Sequence, residues 1–257
     1  MTRSEQAPEP FTPDQKRLLG LTEDGLVPDG PARLRPEVAV AFGCLAAAAQ
    51  EEGFDLAVAS AFRGFDRQLR IWNRKACGEL PVRDDQDCLV SMESLAAPQQ
   101  LDCILRFSAL PGASRHHWGT DLDVYDRAAM PENYRLQLTP SEVAPGGIFG
   151  ALHDWLDERI ASGRSFGFYR PYDVDRGGVA VERWHLSYAP LACDLEAQLT
   201  AALLRRAWDS CAGDGGLVLR EALEPDLDRI LERFVRRVAA APETARNYRG
   251  HQGRGGR

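Results

Sequence analysis

The sequence predicts an α+β fold in which helices surround a small sheet. Long stretches with apolar residues at helical spacing are mixed with a few short strand-like runs. No regular strand-helix alternation with a Gly-rich phosphate turn occurs, which argues against a doubly wound parallel sheet. At 257 residues with 44% hydrophobic side chains, the chain can bury a full core, and one elaborated domain accounts for it.

Residues 1–34 are expected to form an N-terminal extension, rich in proline at its start. A core follows over 35–190. It opens with Arg35 to Glu52, an Ala-rich helix started by Pro36 and ended by Gly53. Leu56 to Ala61 is short, apolar and bounded, as a buried strand would be. A helix is expected over Asp66 to Ala76, then a polar loop through Asp87, a helix within Ser94 to Leu110, and a turn at Pro111 to Ala113. Thr120 to Tyr125 alternates polar and apolar residues at period two, a strand with Asp121 and Asp123 on one face. Gly147 to Ser162 has helical spacing of Ile148, Leu152, Trp155, Leu156 and Ile160, and Val179 to Leu186 is a further expected strand. Residues 191–241 are expected to be a helical extension packed on the core, and 242–257 a disordered Gly/Arg-rich tail.

A formal net charge of −7 provides no basic field to gather nucleic acid or anionic lipid. No stretch approaches the ~18 to 20 apolar residues of a membrane span. The N-terminus lacks the apolar run of a secretory signal, which predicts a cytoplasmic location, or a periplasmic one if the true start or export route lies elsewhere. The six cysteines, Cys44, Cys77, Cys88, Cys103, Cys193 and Cys211, form no C-x-x-C pair, which excludes a zinc knuckle or thioredoxin motif. They are expected to be buried apolar side chains, with Cys77 and Cys88 able to bridge in an oxidising space.

Three of the five histidines, His116, His117 and His185, stand near carboxylates in segments rich in Trp and Gly: P-G-A-S-R-H-H-W-G-T-D-L-D-V-Y-D from Pro111, and V-E-R-W-H from Val181. A catalytic zinc takes three His and carboxylate ligands at about 2.0–2.2 Å and leaves a position for water. One His and one Asp of the first segment with His185 of the second meet that count. Glu182, three residues before His185, is placed to take a proton from water acidified by the metal and to pass it to a leaving amine.

S-R-H-H-W-G-T-D-L-D followed far downstream by E-R-W-H resembles the zinc D-alanyl-D-alanine carboxypeptidase and dipeptidase family, the VanY-type peptidases or LAS metallopeptidases. The family pattern S-x-H-x-x-G-x-x-x-D, then E-x-W-H, is met by Ser114, His116, Gly119 and Asp123, then Glu182, Trp184 and His185. The resemblance implies a hedgehog/DD-peptidase-like fold with a small antiparallel sheet carrying Zn2+ on His116, Asp123 and His185, and Glu182 as general base. S-A-F-R-G-F-D-R-Q from Ser60 is similar to a further family element, S-x-[YF]-R-x-x-x-x-Q. It implies Arg63 as partner of a substrate carboxylate or a developing oxyanion. Ser114 and, more remotely, Gln68 are implied at the substrate. The family commonly has a small residue where this chain has Asp121, which is expected either to orient a histidine or to read a substrate amine. His117 is expected near the site but off the metal.

The implied activity is hydrolysis of peptide bonds involving D-amino acids in peptidoglycan stem peptides or muropeptides. Two alternatives are an endopeptidase of the lysin type, and a non-catalytic zinc-binding module like the hedgehog signalling domain. Retention of Glu182 argues against the latter.

Overall fold

The computed structural model describes residues 9–210 and 216–250, so Cys211 and His251 lie outside the described residues. The extension expected at the N-terminus is built into the body. Thr12 and Gln15 cap helix α1 (Pro13–Leu19) reciprocally, and its Leu18 and Leu19 are buried. A hairpin of β1 (Val27–Asp29) and β2 (Ala32–Leu34) leads into α2 (Pro36–Glu51). Strand β3 (Leu56–Ser60) and helix α3 (Phe65–Ala76) follow, then α4 (Ala97–Phe107) and a 3-10 turn, Arg115–Trp118. After β4 (Asp121–Asp126) come α5 (Pro140–Val143), α6 (Gly150–Ala161), β5 (Phe168–Tyr169) and β6 (His185–Tyr188).

Four strands form one antiparallel sheet in the order β3-β4-β6-β5. The strand expected over 179–186 is displaced: residues up to Trp184 lie in loop and turn, and pairing starts at His185. The reason is local, because the His185 N–H donates to Glu182 O, closing a turn where ladder bonds would otherwise run.

The sheet's two faces are chemically distinct. Leu122, Val124 and Leu186 pack with Val38 and Leu45 of α2 and Leu152 and Leu156 of α6 in one core. A second core joins Leu19, Phe65, Trp72 and Ile104 to the C-terminal helices α7 (Ala189–Ala192), α8 (Leu195–Gln198), α9 (Ala201–Ser210), α10 (Arg220–Leu223) and α11 (Leu227–Leu231) through Leu204, Trp208, Leu227 and others. Trp208 Nε1 donates to Pro111 O and Trp72 Nε1 to Val218 O, so the extension is also hydrogen-bonded to the core.

The disordered tail expected from 242 is corrected for its described part. Helix α12 (Glu243–Arg246) forms, and the Tyr248 ring meets those of Phe166 and Tyr188 edge-on, so aromatic burial holds this polar-looking segment. None of the five described cysteines is buried: Cys77 and Cys88 are exposed and free, and the other three are partly exposed.

Candidate metal centre and its cavity

A bulge between Val58 and Ser60 shifts the β3 register so that Ser60 faces Asp123, and Asp123 in turn faces His185 on β6. One row across three strands therefore carries Ser60, Asp123 and His185. His116 arrives from the 3-10 turn, which ends at Gly119 in a left-handed conformation. That backbone, at a φ of +71°, favours glycine, and a Cβ there would also push aside Leu26 Cδ2 at 2.5 Å.

His116, Asp123 and His185 each offer one donor atom within 4.8 Å of the others, and all three are buried. Asp123 Oδ2 is 3.2 Å from His116 Nε2, and its Oδ1 is 3.2 Å from His185 Nδ1. The opposite nitrogens are occupied: His116 Nδ1 lies 2.9 Å from Ala61 O, and His185 Nε2 lies 3.0 Å from Asp121 Oδ1. With protons on those nitrogens, Nε2 of His116 and Nδ1 of His185 are left as lone pairs facing the same carboxylate. Two imidazoles and one carboxylate suit a zinc-like cation, and Asp123 Oδ1 is a buried oxygen without a hydrogen bond, so the donor set fits.

Asp121, although on the same strand face, is fully buried behind His185. Its Oδ1 accepts from Arg115 Nε at 2.8 Å as well as from His185, and Oδ2 accepts from Thr120. Arg115 is itself 3% exposed and donates to Ser187 and Tyr169. Asp121 thus orients His185 and does not line the cavity, so of the two roles expected for it the structure carries the orienting one and the substrate contact is corrected. Burial alone would raise its carboxyl, but Arg115 and His185 outweigh that and hold it well below the usual range. Asp123 is likewise held low by His116 and His185 against its burial. Burial opposes charge on His185, yet Asp121 and Asp123 raise it to about 9, so without a cation its Nδ1 also carries a proton, which a bound metal would displace.

The turn at 182–185 folds Glu182 back, its Oε2 3.6 Å from His185 Nδ1. Burial raises its carboxyl to about 7, against the attraction of His185. That value suits a group that accepts and returns a proton near neutral pH. Arg63 donates through Nη1 to Gln68 Oε1 at 2.9 Å and through Nη2 to Ser60 Oγ at 3.2 Å, while its Nε is buried without a partner.

Arg63, Ser114, His116, Asp123, Glu182 and His185 line one cavity of about 850 Å³. Gln68 does not. It is fully buried, accepts from Arg63 and donates to Ala109 O at 2.7 Å, so it positions Arg63 and the substrate-binding expectation for it is corrected. His117 points away from the metal donors: its Nε2 accepts from Gly112 N and its Nδ1 meets Arg63 O at 2.5 Å, bracing the Arg63 backbone.

Three residues of the site escape motif reading. Arg115 lies inside the first motif at an unspecified position, and Tyr172, whose ring centroid is 5.0 Å from that of His185, carries no sequence mark. Lys75 also lines the cavity; it stands two helical turns after Gln68 on α3, a spacing that could have flagged it.

Residues 31–191 match the family model described as VanY: D-alanyl-D-alanine carboxypeptidase. An uncharacterized protein of Haemophilus influenzae is 38% identical over 101 residues, 38% of this chain and 75% of that protein. Among solved structures, VanYB in complex with D-alanine-D-alanine is 20% identical with a TM-score of 0.47, over 71% of this chain and 87% of the other. A D,D-pentapeptidase VanY from a VanB-type resistance cassette, in complex with Zn(II), is 20% identical with a TM-score of 0.46, over 71% and 88%.

Proposed function

Because this chain belongs to the VanY family of D-alanyl-D-alanine carboxypeptidases, we propose that it is the zinc-dependent member that trims the C-terminal D-amino acid from peptidoglycan stem peptides. The observation that carries this reading is the juxtaposition of Glu182 with the His116, Asp123 and His185 donors at one wall of the cavity. Zinc, when bound by those three, supplies a Lewis acid that polarises a carbonyl and acidifies water. Glu182 takes the proton of the attacking water and returns it to the departing amine, for which a carboxyl raised to about 7 is well matched.

Arg63 and Ser114 hold the substrate's terminal carboxylate. The guanidinium is pinned on two sides by Gln68 and Ser60, so little side-chain freedom is lost when substrate arrives. Asp121 and the Ala61 carbonyl keep both histidines in the tautomers that leave their metal-facing nitrogens free.

The test is mass-spectrometric product mapping on defined muropeptides, with and without a chelator. Loss of one terminal D-alanine from a pentapeptide stem, abolished by chelation and restored by zinc, is the expected result. Glu182→Gln should keep zinc and lose about 10²–10⁴-fold in kcat. Cleavage inside the stem would establish the endopeptidase alternative instead, and turnover that survives metal removal would end the zinc reading.

A further inference from the structure

Among the described residues the cavity contains one partly buried cation without an ion pair that the peptidase chemistry does not use. Lys75, in the last turn of α3, lines the cavity together with Arg63 and Glu182, and its Nζ donates to Ser108 Oγ at 2.5 Å. Among the described residues it forms no ion pair. A partly buried ammonium held by a single neutral hydroxyl is an uncommon arrangement, because desolvation costs are ordinarily met by a carboxylate.

The charge balance of the cavity points the same way. Arg63, Lys75 and a divalent metal bring four positive charges, and Asp123 and Glu182 return two, leaving an excess of two. Of the remaining lining charges, Arg115 is paired with Asp121 and Arg83 with Asp87, while the exposed Arg135 is offset by Asp84 in number only. The terminal carboxylate of a peptide, held by Arg63, neutralises one of the two. One positive charge is left, and Lys75 is the cavity's partly buried cation that has no carboxylate in ion-pair contact, Glu182 attracting it only from farther off.

We infer that Lys75 reads a second carboxylate of the substrate, so that the site selects stem peptides whose diamino residue carries a side-chain carboxylate over those whose diamino residue lacks one. This rests on the peptidase reading for the place of the terminal carboxylate. Burial and the neighbouring Arg63 lower Lys75 to about 8, which leaves it charged at neutral pH and lets a bound anion stabilise that charge further. A cavity of about 850 Å³ is also larger than a dipeptide needs, so more than one residue of the stem can reach the metal-side chamber.

The experiment compares zinc-loaded protein acting on pentapeptide stems identical except at the diamino residue: diaminopimelate with its side-chain carboxylate free, the same residue amidated there, and lysine. Wild type should favour the free carboxylate about 10- to 100-fold in kcat/KM, the range of one charge-assisted hydrogen bond. Lys75→Met should bring the ratio close to one, and Lys75→Arg should regain most of it. A wild-type ratio within twofold, or a Lys75→Met variant that keeps the preference, overturns the inference. If wild type hydrolyses none of the peptides, the proposed activity falls, and calorimetric affinities for the same free and amidated pair decide the role of Lys75 by the same ratio.

Discussion

Asp121→Asn probes how the metal donors are held. The carboxylate has three bonds: Oδ1 accepts from His185 Nε2 at 3.0 Å and Arg115 Nε at 2.8 Å, and Oδ2 accepts from Thr120 Oγ1 at 2.6 Å. An asparagine oxygen can keep the first two contacts, and the Thr120 hydroxyl can rotate to accept from the new amide. What disappears is the charge. Loss of a charged partner behind a ligating histidine lowers metal affinity about 10- to 100-fold, or ~1.4–2.7 kcal/mol.

A second cost falls on Arg115, whose side chain is 3% exposed and whose remaining carboxylate partner is Glu196 at 3.4 Å. Breaking a buried pair on one side costs about 3–5 kcal/mol, and the low end applies here because Ser187 and Tyr169 still accept from Arg115. The two costs separate experimentally. Competition against a chromophoric chelator reads the first, and urea unfolding of metal-free protein reads the second. Adding Arg115→Met to Asp121→Asn should recover much of the stability and none of the affinity. Zinc affinity within twofold of wild type would refute the assignment of Asp121 as the group that tunes His185.

Three further outcomes are expected. His153 is fully buried, and burial beside Arg170 and Arg183 lowers it to about 2. Its folded value lies below the ordinary 6.5, so the unfolded chain binds the extra proton: this stability is complete above about pH 6.5 and is lost as pH falls towards 2. At pH 5 it amounts to about 2 kcal/mol relative to pH 7.5, and urea midpoints at the two pH values should show that difference shrink by this amount in His153→Gln; an unchanged pH dependence would refute it. Gly20→Ala places a Cβ 2.4 Å from His117 Nδ1 at a φ of +72°; strain and overlap should cost about 2–4 kcal/mol by thermal denaturation, and a loss under ~1 kcal/mol would mean that His117 moves freely. Gln68→Leu removes the acceptor that pins Arg63, so KM should rise about tenfold with a smaller change in kcat; steady-state kinetics in which kcat alone falls would instead place Arg63 at the oxyanion.

Much of this arrangement is legible before any fold is known. The two histidine segments and the place of Glu182 are short-range patterns, and period-two alternation puts Asp121 and Asp123 on one strand face, as β4 has them. Helices α2, α3 and α6 lie within a residue or three of their expected ends, α2 from its Pro start and Gly stop and α6 from apolar spacing. The misses are long-range. Residues 13–34 lack length and strong periodicity, yet α1 is held by burial of Leu18 and Leu19 against α3 and α9. Tyr248 sits in a polar tail, and the distant rings of Phe166 and Tyr188 make a place for it.

The sequence by itself determined the type of the longer elements, the donor chemistry and the spacing of Glu182 to His185, because these depend on residues that are neighbours along the chain. Spacing could not choose between Asp121 and Asp123, which occupy equivalent positions on one strand face. The fold separates them: Arg115 and the outer nitrogen of His185 occupy the Asp121 carboxylate, and the inner nitrogens of His116 and His185 face that of Asp123. Likewise the row Ser60, Asp123, His185 required a bulge and two strand registers, and Lys75 acquired its meaning from the cavity it lines. Which of two like carboxylates binds a metal is set by the charges packed around each, and only the folded chain brings those charges together.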